Sequence, residues 1–547
     1  MKKYALKLFV AVLLSMAMNT NAQKIKWDKK FIDTTGSQVH EFIGYDASGF
    51  YITRFLHGES LSVLEKYDYS GNRIWGKDLD IPEETGKKDY LIDNVYFMKD
   101  NIIYTVCSYD VKTAYAFKIG FDGSMSKNKT TIGDIEVKKD IWMGGGASGH
   151  LYKYRYQYTV SHDKTVLLCY YRKKDESKLL IKAMKEDLSE LWEKEIELPV
   201  SGKDLVIEDA VMSGDNTYFL VASPKEKDMV SKAIIMYNHT TGKISKIDVD
   251  MAGDKYPVAG TSLKTDKTGN VIFNGLYETK QGDGVTDACF MKIDNNSGNV
   301  LASKDFAFDK DFLSQFISDK KIDKGKGIEQ LKIKQIIPLD DNSIIVATEQ
   351  GYNFIGTAYI NNAGMQTMVV SGTRATAPGP GTGTRTQTVQ SYDCNSGVIY
   401  KIGADGSLAW IKEIVKKQDM SSASATAAVA NSYGISIFGN KMYLIFNDNK
   451  KNADLTAEDA EKNKDDIKTN HIDGGHSWQV LILETVDLAT GDLKRKKLND
   501  FYENGELYFY ANFSLPLTDK VIVFSSTIFR AHGKDEGQFG EFTVNQQ

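Results

Sequence analysis

The chain has 547 residues, with 68 Lys and Arg against 73 Asp and Glu and a formal net charge of −5. Near-balanced charge, without a basic stripe or an acidic tail, excludes a nucleic-acid surface of the electrostatic kind. Tyr (29) and Phe (25) are abundant and Pro (8) is scarce, the composition of a large strand-rich protein.

The first segment, residues 1–22, reads as a signal peptide. Lys2 and Lys3 make a positive start, residues 8–14 are apolar, and Thr20-Asn21-Ala22 is a small-x-Ala cleavage site. The apolar part is too short to span a bilayer, and no later stretch reaches the length of a transmembrane anchor. Gln23 follows the cut where lipid-anchored export would need Cys, and the Ala22-Gln23 junction resembles those of exported Bacteroidetes proteins. The expectation is a secreted protein of the periplasm or cell surface, its residues 23–547 forming one domain.

Two kinds of tight turn then alternate along the chain. The first precedes a strongly apolar strand. It occurs as Asp46-Ala47-Ser48-Gly49, Lys99-Asp100-Asn101, His162-Asp163-Lys164, Gly214-Asp215-Asn216, Lys267-Thr268-Gly269-Asn270, Asp341-Asn342-Ser343, Gly439-Asn440-Lys441 and Thr518-Asp519-Lys520. The second lies in a later hairpin. It occurs as Asp68-Tyr69-Ser70-Gly71, Phe121-Asp122-Gly123, Glu186-Asp187-Leu188-Ser189, and the turns ending at Gly242, Gly298, Gly406 and Gly491. Asp, Asn and Gly supply the positive-φ positions such hairpins need. Each unit therefore reads strand, tight turn, strand, variable loop, strand, tight turn, strand. Four antiparallel strands at a period of about 50–60 residues make one propeller blade.

The second turn has seven copies to the first turn's eight. Several fourth strands share a pattern: Ile74-Trp75-Gly76-Lys77-Asp78, Leu191-Trp192-Glu193-Lys194-Glu195 and Ala409-Trp410-Ile411-Lys412-Glu413. Lys26-Trp27-Asp28-Lys29-Lys30 repeats it with no strand before it, and the last unit reaches Phe542-Thr543-Val544 at its third strand. Residues 25–31 are thus expected to complete the last blade and close the ring, which removes open edge strands. The predicted fold is all-β: a single β-propeller of eight four-stranded antiparallel blades. Seven blades is the alternative count, and a run of separate β-sandwiches the alternative architecture. Cys107 and Cys169 fall at equivalent points of apolar strands and are expected to be buried thiols.

Asp68-x-x-Gly71-x-x-x-Trp75, with its shortened form Asp405-Gly406-x-x-x-Trp410, resembles the repeat of quinoprotein-like propellers. The resemblance implies an eight-bladed architecture, in a family holding both quinone-dependent dehydrogenases and non-enzymatic scaffolds of outer-membrane assembly. The vicinal cysteines and calcium ligands of the dehydrogenases have no counterpart here, so the architecture carries over and the catalysis does not.

Alternate connections of up-and-down strands lie at opposite ends, so both tight turns share one face and the variable loops the other. On the variable face lie insertions at 351–392, rich in Thr, Gly and Pro, and at 447–476. The first contains Met365, Met368, Val369 and Val370, which suit an added β-hairpin. In the second, Thr456-Ala457-Glu458-Asp459 reads as the capped start of a short solvated helix. Long loops on a rigid frame are where function concentrates. Candidate ligand-binding residues are Tyr152, Tyr154, Arg155 and Tyr156, on a presumed inner strand where alternation separates aromatic from cationic side chains. His471, Asp473 and His476 form a second candidate, though their spacing matches no metal motif. Ordinary packing between blades is the competing role for the tyrosines. With no hydrolase, zinc or phosphate-loop motif, the sequence favours a binding or scaffolding role toward a glycan or envelope protein. It calls for no cofactor and no metal. A glycan hydrolase or lyase with its site at the channel mouth is the rival.

Overall fold

The computed structural model describes residues 25–33, 37–56, 61–79, 90–108, 113–126, 128–134, 156–173, 176–200, 205–224, 230–249, 256–257, 261–360, 366–370, 385–422, 431–462, 464–471, 479–500, 507–526 and 535–543. Eight sheets of consecutive antiparallel strands are the blades of an eight-bladed β-propeller, so the seven-blade alternative falls. The chain divides into two compact units, residues 34–425 with blades 1 to 6, and residues 1–33 plus 426–547 with blades 7 and 8.

Blade 1 sets the pattern: Ser37–Asp46, Gly49–Leu56, Leu61–Tyr67 and Arg73–Asp78, hydrogen-bonded in that order. The first strands of blades 1 and 2, 3 and 4, 4 and 5, and 5 and 6 touch one another, which marks the first strand as innermost. The middle strands are covered on both faces by neighbouring blades and so read as continuous apolar runs. In blade 5, Val285–Ile293 is buried at every position while the outer strand Val300–Ala307 is mostly exposed.

The turn residues do defined work. Asp46 accepts from the Ser48 amide at 2.7 Å and the Gly49 amide at 3.1 Å through one oxygen, and takes Lys66 Nζ at 2.7 Å on the other. Asp266–Lys292 (2.8 Å) and Asp341–Lys401 (3.3 Å) repeat this pairing in blades 5 and 6. In the second turn, Asp68 accepts from the Ser70 and Asn72 amides at 2.9 and 2.8 Å. The following indole crosses to the next blade. Trp75 Nε1 donates to the Phe121 carbonyl at 3.2 Å, and a Cβ at Gly123, where φ is +82°, would stand 3.0 Å from the ring. Trp192 stacks on His239 of blade 4 at 5.1 Å.

In the second unit, Ile25–Trp27 pairs with the third strand of blade 8, Asp535–Thr543, in the register Ile25↔Phe542 and Trp27↔Gly540. Ile25 is buried with Phe438, Leu481, Val521 and Phe542 in a core shared by blades 7 and 8. The two ends of the chain are thereby tied into one blade, as the orphan Trp27 pattern predicts. Cys107 and Cys169 are buried as expected.

The blade 6 insertion extends two strands, and the blade 7 insertion adds short helices. In blade 6 the second and third strands run Ile344–Ile360 and Arg385–Ile402, with register from Gly351↔Cys394 to Ile360↔Arg385. Gln366–Val370 pairs back on residues 356–360 as an added strand. In blade 7 the strand Lys441–Asn449 continues into a one-turn 3-10 helix and then the helix Ala457–Lys462. Thr456 and Asp459 cap each other, with the Asp459 amide donating to Thr456 Oγ1 at 3.1 Å and the Thr456 amide to Asp459 Oδ2 at 3.3 Å.

Candidate functional site

Among the described residues, the inner strands of four blades carry the same irregularity. In blade 1 the register steps from Val39↔Arg54 to Glu41↔Thr53, and in blade 2 from Ile92↔Val106 to Asn94↔Thr105. Blade 4 steps from Ile207↔Val221 to Asp209↔Leu220, and blade 6 from Ile333↔Thr348 to Gln335↔Ala347. Each step is a β-bulge, and the residues skipped by the strand register are His40, Asp93, Glu208 and Lys334. All four are titratable, and all lie toward the loop end of the strand. A bulge bends the strand and re-aims its side chains, which is why bulges gather at functional sites.

Around these positions polar groups interlock between blades. Asp209 follows the blade 4 bulge and accepts from the Leu263 amide at 2.9 Å and Ser262 Oγ at 3.1 Å, both of blade 5. Burial pushes its carboxyl up, against the pull of those hydrogen bonds. Glu208 accepts from Lys232 Nζ and Thr261 Oγ1, each at 2.8 Å, and Lys232 also donates to Thr261 at 2.7 Å. Lys232 is 5 % exposed, and burial lowers its pKa against the opposing field of Glu208.

In blade 6, Lys416 is fully buried. It reaches Glu349 at 2.6 Å, the Cys394 carbonyl at 2.8 Å and Gln418 Oε1 at 3.0 Å. Burial lowers the pKa of Lys334 and raises the Cys394 thiol to about 11. In blades 2 and 3, Tyr96 and Tyr158 lie 5.7 Å apart, and burial together with the charge of Asp93 raises both phenols. These arrangements pair acids with bases at fixed positions.

The residues singled out from sequence fare differently. Tyr156 is buried against Tyr171 at 5.5 Å in the core between blades 2 and 3, and it fills the space left by Gly133. His471 is exposed at the end of the short strand Asn470–His471. Tyr152, Tyr154, Arg155, Asp473 and His476 lie outside the described residues. The described residues contain no group of three or more His, Cys, Asp or Glu able to hold a metal ion. The bulge residues were missed, although a signal exists. Val39-His40-Glu41-Phe42, Ile92-Asp93-Asn94-Val95, Ile207-Glu208-Asp209-Ala210 and Ile333-Lys334-Gln335-Ile336 each insert two polar residues where strand alternation allows one.

No protein-family model matches the chain, and no curated protein matches it. Among solved structures it is similar to polysaccharide lyase Uly1, at 9 % identity and a TM-score of 0.37 over 95 % of this chain and 100 % of that one. It is also similar to a GH43 β-1,3-galactosidase with galactodeoxynojirimycin, at 11 % identity and a TM-score of 0.25, covering 50 % of this chain and 97 % of that one. Prolyl oligopeptidase B from Galerina marginata matches at 8 % identity and a TM-score of 0.37, over 92 % of this chain and 55 % of that chain.

Proposed function

We propose that this propeller is a recognition or scaffolding module of the cell envelope that engages a glycan or an envelope protein through its loop-bearing face. The observation that carries this reading is the bulged position. The fold repeats the place, yet the residue standing there changes from His40 to Asp93, Glu208 and Lys334. Catalysis needs one fixed constellation of matched groups. A rigid frame presenting different donors and acceptors from blade to blade suits recognition of an irregular ligand. The strand extensions of blade 6 add surface on the same side. Export by the leader at residues 1–22, with cleavage after Ala22, delivers the module to the periplasm or cell surface. Among the described residues no helix is long and apolar enough to cross a membrane.

Binding of the chain from residue 23 onward to a glycan panel and to purified envelope proteins tests the proposal. The expected result is a saturable hit weakened at least about tenfold by Glu208→Gln or Lys334→Met in a folded protein. A hit indifferent to both substitutions and to trimming of residues 361–384 overturns it.

One observation favours the rival enzymatic reading. Glu208 is ion-paired to Lys232 beside an Asp209 whose carboxyl is pushed up, and neighbouring carboxylates in unlike environments divide acid and base roles. Steady consumption of panel glycans, lost in Asp209→Asn, moves that reading ahead.

A further inference from the structure

The outer strands of blades 1, 3 and 6 share one register. Trp75 stands opposite Lys66, Trp192 opposite Ala183 and Trp410 opposite Lys401, each just after a bulge at Ile74, Leu191 or Ala409. Blade 5 has the same bulge, at Leu301, and the residue after it, opposite Lys292, is Ala302. Alanine therefore stands where three other blades place an indole.

The turn that would receive this indole is reduced as well. In blade 2 the turn reads Gly120-Phe121-Asp122-Gly123, and Phe121 packs against Tyr51 at 5.5 Å and Phe97 at 5.1 Å. In blade 6 the same turn reads Gly403-Ala404-Asp405-Gly406. Phe290 and the Lys304 stem cover Gly406, at 3.2 and 3.1 Å from the place of a Cβ, and beside them the two large-to-small replacements leave a cleft of about 620 Å³ on the tight-turn face. Its volume lies within the range of roughly 300–1,000 Å³ usual for small-ligand sites.

The lining fits a ring with apolar faces and a polar edge. Leu301, Ala302 and Ala404 give aliphatic surface, while Asn270, Lys292 and Asp405 give hydrogen-bonding groups. An indole offers one polar atom to such a rim; a pyranose offers apolar C–H faces and hydroxyls around its edge. Lys292 is met by Asp266 at 2.8 Å, and Asp405 is engaged in its own turn, accepting from the Ser407 amide at 3.0 Å and Ser407 Oγ at 2.6 Å, so both charges have partners and the site suits a neutral ligand. In blade 1 the counterpart Lys66 also reaches the Phe121 carbonyl, at 3.3 Å.

We propose that the seam between blades 5 and 6 is a second ligand site, binding one neutral pyranose unit of a glycan beside the place where blades 1 and 3 seat a tryptophan. The site lies on the face opposite the bulged inner-strand ends, so it stands or falls independently of the loop-face reading.

The test uses the chain from residue 23 onward, with glucose, galactose, mannose, xylose, N-acetylglucosamine and their short β-linked oligomers as probes. Ligand-detected NMR at up to about 10 mM reaches millimolar Kd values. Ala302→Trp and Ala404→Phe refill the socket with the side chains of blades 1 and 2. Saturable binding of at least one neutral sugar is expected, weakened at least about tenfold in either variant, while Tm is unchanged or higher. Sugars that bind both variants as they bind the parent overturn the proposal, as does a panel in which no sugar binds. A lower Tm in both variants also overturns it, because the seam is then no indole socket. N-acetyltryptophanamide binding in preference to every sugar overturns it in favour of an aromatic side chain.

Discussion

At Asp46 one carboxylate oxygen closes a turn and the other anchors Lys66 from the third strand of the blade. Burial opposes the charge, but hydrogen bonds from Lys66, Tyr51 and Ser48 outweigh it and hold the pKa down to about 2. A carboxyl lowered by folding contributes stability above its unfolded pKa, near 3.9, and loses it as pH falls through the folded value. With discounting for partial exposure, Asp46→Ala should cost about 1–2 kcal/mol at pH 7. The gap to the parent should close between about pH 4 and pH 2. Urea unfolding across that window checks it. The turn role of Asp46 was legible from the Asp-x-x-Gly pattern. Its lysine partner was not, because a cross-strand pair depends on register.

At the scale of single elements, the outer strand of blade 1 reaches blade 2 through the Trp75 indole. Trp75→Phe removes the hydrogen bond to the Phe121 carbonyl but keeps a ring, and should cost about 1 kcal/mol. Trp75→Ala opens the seam and should cost about 3 kcal/mol. Midpoints of chemical denaturation that fall equally in the two variants would contradict this division. The helix Ala457–Lys462 is too short to persist unaided, and its mutual Thr456–Asp459 cap supplies part of what it lacks. Thr456→Ala should destabilise that turn by about 1 kcal/mol, read as faster amide exchange from Ala457 to Lys462 with little change in global unfolding. The helix was legible because its cap is a local sequence signature. The bulges were not read, because the doubled polar residues that mark them become a bulge only once the register against the partner strand is known.

For the whole molecule, the sharing of blade 8 between both ends of the chain decides the stability of the second unit. Deleting residues 24–32 strips the outer strand from Asp535–Thr543 and exposes Phe542 and an unpaired edge. Melting temperature should fall sharply, and Ile25→Ala alone should cost about 2–4 kcal/mol. An unchanged melting curve for the deletion would show that the pairing contributes nothing.

Fold class, blade number and the terminal pairing could be read from the chain because each is written as a repeat: turn residues at a fixed period, and one Trp pattern out of place. Repetition averages away local ambiguity, so even a weak motif becomes decisive when it recurs seven or eight times. What tertiary structure alone decided are the departures from the repeat. The bulged inner strands set polar groups of different blades against one another, as in Asp209 with Ser262 and Leu263. Ala302 and Ala404, 102 positions apart in the chain, meet at one seam and leave a cleft. Small residues are silent in a linear reading, since an alanine marks a cavity only when the side chains that would have filled it are known from equivalent positions in space.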